Sequence, residues 1–131
     1  MRPVKNMTSL RIELFVNDFQ KSLAFYNEVL KFNVVESKEG YISISNGSIK
    51  LGLGLIWKLP QNHCLALKFL GERKGVGVEF VIEVDDIHAY YLRALTLNYP
   101  VHEPLQKREW GLTDFRLVDP DGYYLRITSE A

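Results

Sequence analysis

Three charged residues of this chain alternate with apolar neighbours in runs of strand character. They are Arg11 in SLRIELFV (9–16), Glu79 in GVGVEFVIEV (75–84) and Arg126 in YYLRIT (123–128), the last lying four residues beyond the glycine of a DPDG turn. Side chains alternate across a strand, so each falls on the face opposite the apolar one. Two guanidinium forks with a carboxylate between them can grip a carboxylate or phosphate, Glu79 orienting the arginines. The same three can move a proton, Glu79 acting as general base while Arg11 and Arg126 stabilise an enolate-like oxyanion. A salt-bridge network on a solvated sheet face draws on the same residue types. Arginine cannot ligate a metal: it stays protonated above about pH 12 and has no lone pair to offer.

The elements that must position these residues repeat. In 9–16, Leu10, Ile12, Leu14 and Val16 oppose Ser9, Arg11, Glu13 and Phe15. Asp18 is placed to cap a helix whose apolar stripe is Leu23, Tyr26, Val29 and Leu30, followed by extended FNVV and by YISISNGSIKLGLGL, where Asn46-Gly47 suits a tight two-residue hairpin. After 57–76, a weakly patterned linker in which LALKFL fits a short helix or strand, Val78, Phe80, Ile82 and Val84 oppose Glu79, Val81 and Glu83. Asp85 and Asp86 head a second helix with the stripe Ile87, Tyr90, Tyr91, Ala94 and Leu95, and three extended runs follow. The order β-α-β-β-β thus occurs twice, in modules spanning 8–56 and 77–129 of a single domain, 1–131. Glu79 follows Arg11 by 68 residues, while the last strands are offset by 74.

Composition narrows the function. With 131 residues, 47% hydrophobic and 24% charged, the chain is one globular domain. Sixteen basic side chains balance sixteen acidic ones, so no field gathers nucleic acid or an anionic membrane. One cysteine, Cys64, excludes an internal disulfide and fits a reducing, cytoplasmic setting. The start MRPVKNMTSL has no apolar leader core, and LGLGLIW is too short to span a bilayer.

Together, VNDFQKSLAFYNEVLKF, GVEFVIEVDD and WGLTDFRLVDPDGYYLRIT resemble the glyoxalase, bleomycin-resistance and extradiol-dioxygenase group, the vicinal oxygen chelate superfamily, over nearly the whole chain. The resemblance implies an α+β fold: tandem βαβββ modules forming curled mixed sheets around a cup-shaped cavity, usually as a homodimer. It also implies four metal ligands in the metal-dependent members, on the first and last strand of each module, and those positions hold Arg11, Gly52, Glu79 and Arg126. Only Glu79 of these could bind a cation, so neither a metal nor another cofactor is expected, and the resemblance is to the bleomycin-resistance-like, metal-free branch. Arginine after DPDG is a feature of that branch, whereas Gly52 departs from it.

Further residues join this candidate site. Gly52 and Gly54 leave one side of their strand bare, for a ligand, another backbone or a bulge. Phe15 and Tyr124 share faces with Arg11 and Arg126 and offer stacking surface. Trp57 could lid a flat ligand, and Trp110 reads as a core or dimer-interface residue. His63, His88 and His102 do not converge, Cys64 has no evident base, and Asp119 and Asp121 serve backbone donors of their turn. The expected function is metal-independent binding of a small anionic or aromatic metabolite, for sequestration or sensing, with no nucleic acid or membrane partner. The alternative is a glyoxalase-like lyase or isomerase with Glu79 as its catalytic residue.

Overall fold

The computed structural model describes residues 8–69 and 71–130. The reading of the first seven residues, and Leu70 within LALKFL, lie outside them. The first module holds β1 (Arg11–Val16), α1 (Phe19–Leu23) running into a π-helical turn (Ala24–Val29), β2 (Asn33–Lys38), β3 (Tyr41–Asn46) and β4 (Ile49–Leu55). The second holds β5 (Glu79–Val84), α2 (Ile87–Thr96), β6 (Glu103–Lys107), β7 (Thr113–Val118) and β8 (Tyr124–Ser129). Two open four-stranded mixed sheets result, ordered β1-β4-β3-β2 and β5-β8-β7-β6. In each, the outer strands of the module pair parallel and the others antiparallel. Arg11 pairs with Lys50 and Glu79 with Tyr124, so offsets of 68 and 74 residues carry the register of one module onto the other.

Both helices start where a carboxylate takes their orphan donors. Asp18 accepts from the N–H groups of Gln20 (2.8 Å) and Lys21 (3.2 Å), and Asp86 from that of Ala89 (3.0 Å). The first helix then departs from 3.6-residue periodicity. Leu30 N–H donates to the Phe25 carbonyl five residues back, and this wider turn points the adjacent Phe25 and Tyr26 both inward. Lys31, with φ 63°, then ends the helix. In α2, Ile87, Tyr90 and Ala94 are buried, but Leu95 is 46% exposed, against expectation. It lies roughly 90° around the helix from the centre of the buried stripe.

The hairpin is also shifted by one residue from its expected place. Asn46 pairs with Ile49, so Gly47 and Ser48 make the turn and Gly47 supplies the left-handed φ of 58°. The freed Asn46 amide donates to the Leu30 carbonyl (3.0 Å) and the Tyr90 hydroxyl (3.1 Å), joining the modules.

Side chains from both modules share one core, with Phe25, Tyr26, Phe32 and Phe115 its largest members. Each full burial of this kind contributes about 1.5–3 kcal/mol. Across the modules, Tyr26 donates to Asp119 (2.7 Å), and within the second module Tyr99 donates to the Val118 carbonyl (2.6 Å). Burial, then the neighbouring Asp119 carboxylate, pushes both phenols well above their ordinary pKa. Described positions 65–69 form turns and bends, neither helix nor strand. No helix among the described residues is long and apolar enough to cross a membrane.

Candidate functional site

The polar face of the second sheet gathers the charged side chains. Register places Arg116, Arg126 and Val81 in one row and Asp114, Thr128 and Glu83 in the next. Asp114 is fully buried and receives the Nε groups of Arg108 (2.9 Å) and Arg116 (3.2 Å). Burial alone would raise its pKa, but the two guanidinium groups outweigh it and hold the carboxyl below the usual range. Arg116 also reaches the Tyr124 hydroxyl (3.2 Å) and Glu79 (3.5 Å), and Arg108 reaches Glu103 (2.9 Å). Arg108 sits at a tight turn that Gly111 closes with φ 97°, its N–H donating back to the Arg108 carbonyl. Trp110 rides the tip of that turn at 54% exposure, so of the two expected places, core or dimer interface, the core is ruled out.

Arg126 is less occupied. Its Nη2 donates to Glu79 (3.1 Å), its one hydrogen bond among the described residues, and its Nε lies out of solvent with no acceptor. A buried donor without a partner costs about 1–3 kcal/mol, so this guanidinium keeps capacity for an acceptor that Arg108 and Arg116 have spent on protein carboxylates.

The structure therefore brings Glu79, Tyr124 and Arg126 together but leaves Arg11 elsewhere. Arg11 pairs with Glu13 (2.8 Å) at a largely exposed position on the first sheet. Glu13 also accepts from the Tyr41 hydroxyl (2.9 Å), and these two side chains occupy the space above Gly52, while the Phe15 ring lies above Gly54. The bare strand is thus filled by the chain's own side chains. Trp57, 66% exposed, lies beside Lys58 in a short 3₁₀ turn. His102 meets the Tyr124 ring edge-on (5.5 Å), while His63 accepts from the Leu65 N–H. Tyr41, Arg108 and Glu103 were not expected here. Tyr41 opens an alternating strand and was legible in principle, whereas Arg108 reaches Asp114 from a turn, where alternation carries no signal.

Gly52→Ala puts a methyl group into the Tyr41–Glu13 contact. Both neighbours are flexible side-chain ends, so the expected cost is about 1 kcal/mol, one hydrogen bond's worth. Thermal unfolding beside Tyr41→Phe checks it, and a Gly52→Ala protein as stable as the parent would disprove this packing.

Fold and site define a protein of paired βαβββ modules with an arginine-rich sheet face. The family model of the Glyoxalase/Bleomycin resistance protein/Dioxygenase superfamily matches residues 8–127, and the chain belongs to that superfamily. Solved structures agree. TioX from Micromonospora sp. ML1 superposes with TM-score 0.75 at 15% identity, over 95% of this chain and 100% of that one. A glyoxalase-related enzyme from Fulvimarina pelagi gives 0.75 at 17%, over 96% and 89%, and a glyoxalase/bleomycin resistance protein/dioxygenase from Nocardioides 0.73 at 18%, over 97% and 85%. At these identities they share the fold alone. Comparison with curated proteins gives no match.

A divalent ion does not suit the superfamily's four ligand corners in this chain. Arg11 lies on β1, Gly52 on β4, Glu79 on β5 and Arg126 on β8. Only Glu79 brings oxygens, and Arg116 and Arg126 hold both of them. Among the described residues no three His, Cys, Asp or Glu side chains converge as ligands.

Proposed function

We propose that this chain is a metal-independent small-molecule binding protein that sequesters or senses a small anionic or aromatic metabolite as a cytoplasmic homodimer. The observation that carries this reading is Arg126, a guanidinium with one partner on an open sheet face beside Tyr124. Glu79 orients Arg126, since both of its oxygens are engaged by arginines; that engagement favours binding over the lyase or isomerase alternative, in which Glu79 would act as base. Phe15, Gly52, Gly54 and Arg11 share one face of the first sheet, with Trp57 in the short turn that follows its β4 strand. Exposed Val34, Val35, Val78 and Val81, with the open strand edges, give a second copy surface to cover.

Arg126→Gln is expected to weaken binding of a small carboxylate at least about tenfold while leaving the fold intact, because a bound charge-assisted pair contributes roughly 1.5–3 kcal/mol. Calorimetric titration of the parent and variant proteins tests it; equal affinity would refute the assignment. Light scattering showing a monomer at micromolar concentration would count against the homodimer.

A further inference from the structure

Four strands end the two sheets: β1 and β2 in the first, β5 and β6 in the second. A strand edge turns unpaired N–H and C=O groups outward, a template for any strand that arrives, and folds usually blunt it. Three of these edges are blunted. A bulge between Val34 and Glu36, with Lys38, interrupts β2, while Pro104, Lys107 and a bulge between Glu103 and Gln106 interrupt β6. Linker residues 64–68 lie across a cleft from residues 12–15 of β1, and the Tyr123 hydroxyl donates to the Phe15 carbonyl (3.2 Å). β5 has none of these devices. All six of its residues keep register with β8, and it holds no proline and no basic side chain. Its outer edge opens on two clefts between the modules, one lined by residues 79–82 and the next by residues 81–85. Consecutive residues along a cleft wall mean that the backbone, not a single face of the strand, borders it.

We propose that the β5 edge is a docking site for an extended basic segment of a partner protein, which adds to the second sheet as a fifth strand. In this mode main-chain hydrogen bonds supply affinity and alternate side chains supply the choice of partner. Charge makes the choice here. Glu79, Val81 and Glu83 lie on the polar face, and Asp85 continues their alternation. Glu83 and Asp85 are exposed and, unlike Glu79, pair with no cation among the described residues; no basic residue lines the cleft that they border. Two residues of strand span about 6.6 Å, so these carboxylates sit opposite Lys or Arg two positions apart on an added strand, with an apolar residue opposite Val81, which is 46% exposed. A second β5 strand does not suit this edge. Antiparallel pairing about a two-fold axis sets Glu79, Glu83 and Asp85 against one another or against Val81, and like charges directly opposite are destabilising. The site is independent of the reading of Arg126, and a second copy seated on Val34 and Val35 of β2 leaves β5 free.

The test adds the blocked peptide Val-Thr-Lys-Thr-Lys-Thr-Val, whose pattern reads alike in either chain direction, to the isotope-labelled full chain at low ionic strength. Calorimetry gives its affinity and amide hydrogen exchange by NMR gives its place. Binding is expected to slow exchange in β5 while leaving β2 and β6 unchanged. The same peptide with Glu for both Lys should bind at least tenfold more weakly, and Glu83→Lys should bring the ratio of the two affinities toward one. Methylating the backbone nitrogens of all Thr in one peptide, and of both Lys in another, should abolish binding in at least one of them, because alternate N–H groups point to alternate edges of a strand. Unchanged β5 exchange at saturating peptide, no binding at millimolar peptide, or full binding of both methylated forms would each overturn the added strand. Equal binding of the Lys and Glu peptides would overturn the basic partner. If the β5 amides of the chain alone are protected at micromolar concentration and open on dilution, a second copy holds the edge and the proposal falls.

Discussion

Asp114→Ala is expected to lower folding stability by about 3 kcal/mol, or roughly 10 °C in melting temperature for a chain of this size. The carboxylate is fully buried and anchors Arg108 and Arg116 at once. Removing one side of a buried ion cluster generally costs about 3–5 kcal/mol. The lower end applies because Arg108 keeps Glu103, and Arg116 keeps Glu79 and Tyr124. Differential scanning calorimetry checks the value, and a loss below about 0.5 kcal/mol would mean that the cluster is solvated surface.

Acid titration separates this carboxylate from its buried neighbour in the DPDG turn. The folded Asp114 carboxyl titrates below the unfolded one, so its contribution is full above the ordinary range near pH ~3.9 and is lost as pH falls through the lower folded value. Asp119 is opposite in sign. Burial pushes it up, although Tyr26 and the N–H groups of Tyr123 and Asp121 pull it down, so its cost at neutral pH is relieved on acidification through the raised value. Asp114→Asn should therefore flatten the stability curve below about pH 4, and Asp119→Asn above it. Melting curves across that range distinguish the two.

What the sequence revealed and what it hid divide along the kind of signal. Strict alternation around Arg11, Glu79 and Arg126 assigned their strands and faces correctly, and the capping aspartates Asp18 and Asp86 marked both helix starts. The inward turn of Phe25 was not legible, because a π-helical turn breaks the spacing on which a helical stripe is read. Nor was the pairing of charges. Alternation says that Glu13 and Glu79 share faces with Arg11 and Arg126, but only the fold shows that Glu13 takes Arg11 and Glu79 takes Arg126. Gly52 and Gly54 looked like room for a ligand, since a sequence does not show that Tyr41 and Phe15 lean across from neighbouring strands.

The linker, where periodicity fades, carries the last strong prediction. Lys74 and Asp121 form an ion pair at 3.2 Å with side chains only 6% and 2% exposed. It ties the linker to the turn from which β8 departs with Tyr124 and Arg126. Asp121 also accepts the Asn17 N–H (2.8 Å), so the same carboxylate fixes the entry to α1. Next to Lys74, Gly75 takes φ 71° where any side chain would strike the Tyr123 ring, which holds the linker close to that turn. Lys74→Ala strands a buried carboxylate and is expected to cost about 4 kcal/mol. Lys74→Met restores the aliphatic stem but not the charge, and should recover only about 1 kcal/mol of that. Adding Asp121→Asn to Lys74→Met removes the orphaned charge while keeping an acceptor for Asn17, bringing stability back to within about 1 kcal/mol of the parent. Urea unfolding of the three variants measures this. If the double variant is no more stable than Lys74→Met, the loss comes from packing and the pair does not act through its charge.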